Sequence, residues 1–155
     1  MRSRTPRTGR VALIDTGFWL AFFEQGDAHH QHALDSEAAL LGFRSVLCPW
    51  PILYETLNTW FTRRRDWLPK FNAFLKRGNV ILLDDSKYRE EALRDTFVTR
   101  PPKGRGLSLV DRVLHLIIED RNVGVECLFT YDVADFQELC SRHRVVLHSH
   151  WEMPQ

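Results

Sequence analysis

Five acidic residues stand where the strands and helices of a predicted parallel sheet meet, and this placement points to chemistry. Asp15 directly follows a short apolar run, and Asp132 and Asp135 follow another. Glu55 lies in the first turns of a predicted helix, and Asp111 lies in the first turn of a later one. Carboxyl ends of parallel strands and amino ends of the following helices open on one edge of a sheet. We therefore expect four or all five of these carboxylates to converge, although they are far apart in sequence.

Convergence of this kind indicates a divalent metal ion. Neighbouring carboxylates repel one another and raise one another's pKa, and a hard divalent cation removes that cost. Mg²⁺ and Mn²⁺ prefer oxygen ligands. The sequence contains no His-Glu-x-x-His motif, no glycine-rich phosphate loop and no Gly-x-Ser-x-Gly elbow. The acids are thus the one set of residues whose pattern suggests a metal site.

Each acid also has a purely local interpretation. Asp15 is placed to cap the helix that begins at Thr16, and Ser108-Leu-Val-Asp111 reads as a capping box. Asp132 suits the N-cap and Asp135 the first turn of a short helix, and Glu55 suits a solvated helix surface. Taken singly these interpretations are favoured, whereas the shared edge of the sheet favours a common site.

The elements that must position the acids alternate along the chain. The predicted strands are Val11–Ile14, Ser45–Cys48, Val80–Leu83, Cys127–Thr130 and Val145–Leu147. The predicted helices are Thr16–Glu24, Ala28–Leu41, Ile52–Arg64, Leu68–Lys76, Ser86–Phe97, one that begins at Ser108, and Val133–Leu139. Strands that are apolar on both faces and alternate with helices predict a parallel sheet covered on both sides. The expected fold is a three-layer α/β/α domain.

Composition and charge limit the class of protein. The chain has 155 residues, 44% of them hydrophobic, which suits one ordinary domain. Its three cysteines include no Cys-x-x-Cys pair, which argues against disulfides and a cysteine zinc site and favours the cytoplasm. No apolar run approaches the ~20 residues of a membrane span. We expect a basic flexible tail at 1–10, one domain at 11–150 and a C-terminal tail at 151–155.

Five short motifs, in order, resemble those of the PIN-domain nucleases, in particular the small bacterial toxins of the VapC type. Ile14-Asp-Thr-Gly-Phe-Trp-Leu-Ala21 is similar to the family's opening strand and acid, and Asp27-x-x-His30-x-x-Ala33 to its next segment. The other three are Pro51-x-x-x-Glu55, Leu107-Ser-Leu-Val-Asp111 and Thr130-Tyr-Asp-Val-Ala-Asp-Phe136. The resemblance extends from Val11 to about Leu147.

The resemblance implies a fold, a chemistry and partners. It implies a five-stranded parallel sheet in the order 3-2-1-4-5, with Asp15, Glu55, Asp111 and Asp132 as the catalytic acids. Asp15, Asp111 and Asp132 would hold one or two Mg²⁺ or Mn²⁺ ions, with Asp135 as the alternative to Asp132. The implied reaction is hydrolysis of RNA phosphodiester bonds by a water that the metal activates. A toxin role implies a small antitoxin protein as partner, and we also expect a homodimer.

Four further residues are candidates for contact with the RNA. Thr16 and Thr130 are placed to hydrogen-bond a ligand carboxylate or a substrate phosphate, and each also suits a cap or turn. Arg63 and Arg64 form part of a basic block that is able to hold phosphates, although a solvated helix end is the more common role.

Two other groups of residues have mainly structural interpretations. One group is a cluster of aromatic residues, for which packing in the core is the favoured role, a dimer surface the next and base stacking the least favoured. Its members are Trp50, Tyr54, Trp60 and Trp67. The histidines at 29, 30 and 32 lack a third zinc ligand and are expected at the surface. The alternative to an enzyme is a PIN-like module that binds RNA or a protein without cutting.

Overall fold

Five short strands form one parallel sheet. A computed structural model describes residues 10–98 and 106–149 of the chain. The strands are β1 (Val11–Ile14), β2 (Ser45–Pro49), β3 (Val80–Leu83), β4 (Cys127–Phe129) and β5 (Val146–His148). Their order is β3-β2-β1-β4-β5, and every neighbouring pair is parallel. The predicted sheet order and fold class are confirmed.

Helices cover both faces of this sheet. They are α1 (Thr16–Phe23), α2 (His30–Asp35), α3 (Glu37–Gly42), α4 (Trp50–Thr56), α5 (Thr59–Thr62), α6 (Trp67–Leu75), α7 (Ser86–Val98), α8 (Leu109–Glu119) and α9 (Val133–His143). Helix α1 contacts α2 and α4, whereas α8 contacts α7 and α9. In the part of the chain that is described, none of these helices has the length and apolar character to cross a membrane.

The core consists of the strands and an aromatic cluster beside α1. Leu13 and Leu128 on the central strands are fully buried, as expected for strands with helices on both faces. Trp19 packs edge-to-face on Phe71 at 4.9 Å and Phe23 packs on Phe61 at 5.3 Å between ring centroids. These contacts fasten α5 and α6 against α1, because edge-to-face rings add to the free energy gained by burial.

Two of the predicted helices are each divided in two. The predicted helix Ala28–Leu41 is interrupted at Ser36, whose hydroxyl donates to a backbone carbonyl one turn earlier. The predicted helix Ile52–Arg64 is interrupted at Asn58, which has an extended backbone and accepts the N–H of Phe61 at 3.0 Å. Both breaks follow from polar side chains that compete with the backbone. Helix α9 is also longer than predicted, ending at His143 instead of Leu139.

Several predicted segments lie outside the described residues. These are residues 1–9 of the basic tail, the C-terminal tail at 151–155 together with position 150, and most of the loop Thr99–Gly106. The basic residues Arg100, Lys103 and Arg105 belong to that loop.

Candidate active site

Asp15 is the buried centre of the candidate site. It directly follows β1 and is only 4% exposed. Its Oδ1 accepts the backbone N–H of Thr16 at 2.7 Å, so the predicted capping contact with α1 is present. Its Oδ2 accepts the hydroxyl of Thr130 at 2.8 Å. Two hydrogen bonds from opposite sides therefore fix this carboxylate where β1 and β4 end side by side.

Thr130 connects Asp15 to the start of α9. Besides donating to Asp15, its hydroxyl oxygen accepts the backbone N–H of Asp132 at 3.0 Å. Asp132 occupies the N-cap position of α9, yet its side chain makes no capping hydrogen bond and is exposed. The local capping role suggested for Asp132 is therefore not realised in the structure.

Asp111 reaches the same place from α8. Ser108 caps this helix by accepting the backbone N–H of Asp111 at 3.1 Å, so half of the suggested capping box forms. Helices α8 and α9 are joined by His115, whose Nε2 lies 2.9 Å from the backbone carbonyl oxygen of Asp135. Burial raises the pKa of the Asp111 carboxyl, and the charges of Asp135, Asp132 and Glu55 raise it further. The hydrogen bond with the Ser108 hydroxyl lowers this pKa but does not cancel the rise.

Glu55 is tied to the site through α1. Its Oε2 accepts the hydroxyl of Thr16 at 2.6 Å, and its side chain is exposed. Thr16 thus binds Asp15 with its backbone N–H and Glu55 with its hydroxyl. The first residue of α1 therefore joins Asp15, its immediate neighbour, to Glu55, which lies 39 positions further along the chain than Thr16.

The pKa of Asp15 reflects its burial and the negative charges near it. Burial raises the pKa of Asp15 from its ordinary 3.8 to about 7, although the hydrogen bonds from Thr130 and Thr16 act to lower it. The charges of Asp111 and Asp132 raise the pKa further. The structure therefore brings Asp15, Glu55, Asp111, Asp132 and Asp135 within one electrostatic neighbourhood, which we call the acidic site.

The acidic site has the donors that a hard cation requires. All of its ligating atoms are carboxylate oxygens, which suit Mg²⁺ and Mn²⁺, and its raised pKa values mark an environment that a positive charge would stabilise. Over residues 10–98 and 106–149, no group of three or more His, Cys, Asp or Glu side chains is already arranged to hold an ion. The donor chemistry fits a divalent cation, and ligation requires the exposed side chains to turn inward.

Comparison with known proteins identifies the fold. No model of a protein family matches the chain, and no curated protein matches it. Among solved structures it is similar to VapC20 of Mycobacterium tuberculosis, described as a sarcin–ricin loop cleaving toxin. The match has a TM-score of 0.62 and 22% identity, and it covers 82% of this chain and 94% of that one. The chain has the fold of a VapC toxin.

Two of the predicted RNA-contacting residues do not bond to the acids within this VapC fold. Arg63 ends α5 and Arg64 follows it, and neither makes a hydrogen bond or ion pair to the acidic site among the described residues. Arg64 instead lies over the rings of Trp60 and Trp67. The other two, Thr16 and Thr130, are part of the hydrogen-bond network of the acids.

Of the three histidines at and just before the start of α2, His32 does not lie at the surface as expected. His32 is buried, and its Nδ1 lies 2.7 Å from the Tyr131 hydroxyl oxygen. His29 stacks on the Tyr131 ring at 4.1 Å with an interplanar angle of 5°. Because Tyr131 stands between Thr130 and Asp132, the histidines brace the turn that carries both. The shared helix face of positions 29 and 32 was visible in the sequence, whereas their common partner Tyr131, ninety-nine positions after His32, was not.

Proposed function

We propose that the chain is a metal-dependent endoribonuclease that uses Mg²⁺ or Mn²⁺ to hydrolyse phosphodiester bonds of RNA. The observation that carries this proposal is that the buried Asp15 and four further carboxylates, which come from three other parts of the chain, meet in one place. Such a group of like charges is costly without a cation, and divalent ions promote attack on anionic phosphates. The VapC fold, shared with a toxin that cleaves an RNA loop, supports RNA as the substrate class.

We assign roles from the hydrogen bonds of the acidic site. Asp15, Asp111 and Asp132 would hold the ion, with Asp135 as the alternative to Asp132. A bound ion supplies Lewis-acid chemistry, lowering the pKa of water and stabilising charge on the phosphate. Thr130 holds Asp15 in one orientation, and Thr16 holds Glu55, to which we assign the positioning of the attacking water.

The similarity to a VapC toxin also suggests the protein's role in the cell and its partners. We infer that the protein is the toxin of a toxin–antitoxin pair, acts in the cytoplasm and is inhibited by a small antitoxin protein. We also infer a homodimer, because α4 and α7 expose the apolar side chains of Tyr54, Leu93 and Phe97. A gene for a short antitoxin beside the gene for this chain would support the toxin role.

Cleavage of RNA by the purified protein tests the proposal. We expect cleavage of total RNA with Mg²⁺ or Mn²⁺ and none with excess chelator. Asp15→Asn and Asp111→Asn should each lower the rate about a hundredfold or more, since each removes a charged ion ligand while leaving a side chain of similar size. Gel analysis of the products with end-labelled RNA measures the rate.

Glu138→Gln is the matched control. Glu138 is an exposed acid on α9 that pairs with Arg142, so its loss removes a charge outside the acidic site. This variant should cleave at the wild-type rate. RNA binding without cleavage, or cleavage that survives both aspartate substitutions in folded protein, would contradict the proposal and favour a PIN-like binding module.

A further inference from the structure

Arg64 is held against two tryptophan rings. Its guanidinium carbon lies 5.2 Å from the Trp60 ring centroid and 5.3 Å from that of Trp67, and the two rings are 5.1 Å apart, edge to face. These distances are within the range of cation–π attraction. The backbone is held too, because the Arg64 N–H donates to the carbonyl of Phe61 and the Arg64 carbonyl accepts the N–H of Trp67. Arg64 therefore has a defined position although its side chain is exposed.

The hydrogen-bonding edge of this guanidinium has no partner among residues 10–98 and 106–149. In the described residues Arg64 makes no ion pair and donates no side-chain hydrogen bond. Its neighbour Arg63 is also exposed and contacts no aromatic ring there. A guanidinium presents a planar fork of donors that matches phosphate oxygens, and stacking on rings leaves that fork free.

Arg64 borders a groove at the C-terminal end of α1, the helix whose N-terminal end lies at the acidic site. The groove has a volume of about 460 Å³ and is lined by the C-terminal end of α1, by α2 and by the start of α6. It contains the basic side chains of Arg64 and Lys70 and the acidic ones of Glu24 and Asp66, and no ion pair joins these within the described ranges. Helix α1 begins at the acids and spans about 12 Å to the groove.

The segment that carries Trp60 is anchored to the helix that carries Glu55. Asn58 donates from Nδ2 to the backbone carbonyl of Glu55 at 3.0 Å and caps α5 through Phe61. The position of the tryptophan pair is thus fixed relative to one of the candidate catalytic acids.

We propose that Arg64, held over Trp60 and Trp67, binds a backbone phosphate of single-stranded RNA a few nucleotides from the bond that is cut. This inference rests on the proposed ribonuclease function and adds a second contact point for the same strand. Strand-binding grooves combine phosphate-binding cations with exposed aromatic faces, and Trp60, 43% exposed, supplies such a face.

Binding measurements at several salt concentrations test this contact. The probe is a fluorescent single-stranded RNA of about 12 nucleotides and mixed sequence, within the range of single-strand sites. It is bound to protein carrying Asp111→Asn, which prevents cutting. Arg64→Gln in that background should weaken binding about tenfold, since it removes a charge-assisted hydrogen bond. The slope of log affinity against log salt should fall by about 0.7, the value for one phosphate.

Kinetics and matched variants separate a phosphate contact from other roles. With Asp111 intact, Arg64→Gln should raise KM rather than lower kcat. Arg44→Gln, at the amino end of β2 and outside the groove, should change neither affinity nor slope. Arg63→Gln should have a smaller effect than Arg64→Gln, because no ring holds Arg63.

Three outcomes would overturn the inference while leaving the ribonuclease proposal intact. These are an unchanged salt slope for Arg64→Gln, equal losses for Arg63→Gln and Arg64→Gln, and a change in sedimentation without a change in RNA affinity. The last outcome would assign Arg64 to a protein interface. If the wild-type protein neither binds nor cuts RNA, the proposed function itself fails.

Discussion

At the residue scale, the hydroxyl of Thr130 has two partners in the acidic site. It donates to Asp15 Oδ2 and accepts the backbone N–H of Asp132, so one atom holds the carboxylate of one candidate metal ligand and the backbone of another. Residues that orient metal ligands typically contribute about 10- to 100-fold to affinity or activity. We therefore expect Thr130→Val to lower the RNA-cleavage rate by that factor and the free energy of unfolding by about 1–3 kcal/mol.

Thr130→Ser is the matched control for this prediction. It keeps the hydroxyl and removes only a methyl group from a fully buried position. Cleavage assays should show most of the wild-type rate for the serine variant. Equal losses in the valine and serine variants would show that packing of the methyl group, rather than the hydrogen bonds, is what the site requires.

The raised pKa of Asp15 makes the stability of the metal-free protein depend on pH. In the folded protein this carboxyl keeps its proton up to about pH 7, whereas in the unfolded chain it loses it near pH 4. Between these values the folded state binds the additional proton, so the free energy of unfolding falls as pH rises. A shift of this size corresponds to at most about 4 kcal/mol, complete above pH 7.

Asp15→Asn should remove that pH dependence. Asparagine is also an effective N-cap, so the contact with Thr16 is retained while the titrating group is lost. Thermal unfolding of both proteins in chelator, from pH 4 to pH 8, measures the difference. We expect the wild type to lose stability relative to the variant as pH rises. Parallel pH curves for the two proteins would contradict the raised pKa.

At the element scale, the start of α8 carries two residues with different roles: Ser108 caps the helix, and Asp111 is a candidate metal ligand. Ser108 accepts the N–H of Asp111, so Ser108→Ala should cost about 1 kcal/mol and lower Tm by about 3 °C. The Asp111 carboxyl has a raised pKa, which means that its charge is unfavourable in the metal-free fold. Asp111→Asn should therefore not lower Tm in chelator. A clear fall would instead assign Asp111 to helix stability.

The elements themselves were largely predictable, and the exceptions have local causes. Alternating apolar runs and helical patterns predicted all five strands, because apolar runs of strand length leave a clear signal in sequence. Burial on both faces holds for the central strands β1, β2 and β4, whereas the edge strands expose Ile81, Leu82 and Val146. The breaks at Ser36 and Asn58 were missed, since a polar side chain inside a helical pattern shows no sign of whether it bonds its own backbone. Tertiary packing decides that choice.

The acidic site was predictable only in outline. The rule that strand ends share an edge predicted that Asp15 and Asp132 lie near each other, and the structure joins them through Thr130. Which residues brace the turn was not predictable, because His29 and Tyr131 meet only in the folded chain. Arg63 and Arg64 were grouped by charge alone, whereas the tryptophan rings distinguish Arg64 from its neighbour.

At the scale of the whole molecule, α4 and α7 present exposed apolar side chains on a connected surface. Tyr54 of α4 is 75% exposed and lies near the Arg89 side chain of α7. Leu93 and Phe97 follow Arg89 at successive intervals of four residues, so all three lie along one stripe of α7. An exposed aromatic and aliphatic stripe of this kind is typical of surfaces that bind another protein.

A second copy of the chain is the partner that we propose for this stripe. Phe97 is 82% exposed, so Phe97→Glu should leave the fold intact while placing two like charges across the interface. We expect sedimentation of the wild type at micromolar concentration to show a dimer, and the variant to be monomeric. Leu41→Glu is the control, because Leu41 is also exposed but lies on α3, away from the proposed interface. The Leu41→Glu protein should remain dimeric. A monomeric wild type, or a dimer that survives Phe97→Glu, would show that this stripe does not join two copies.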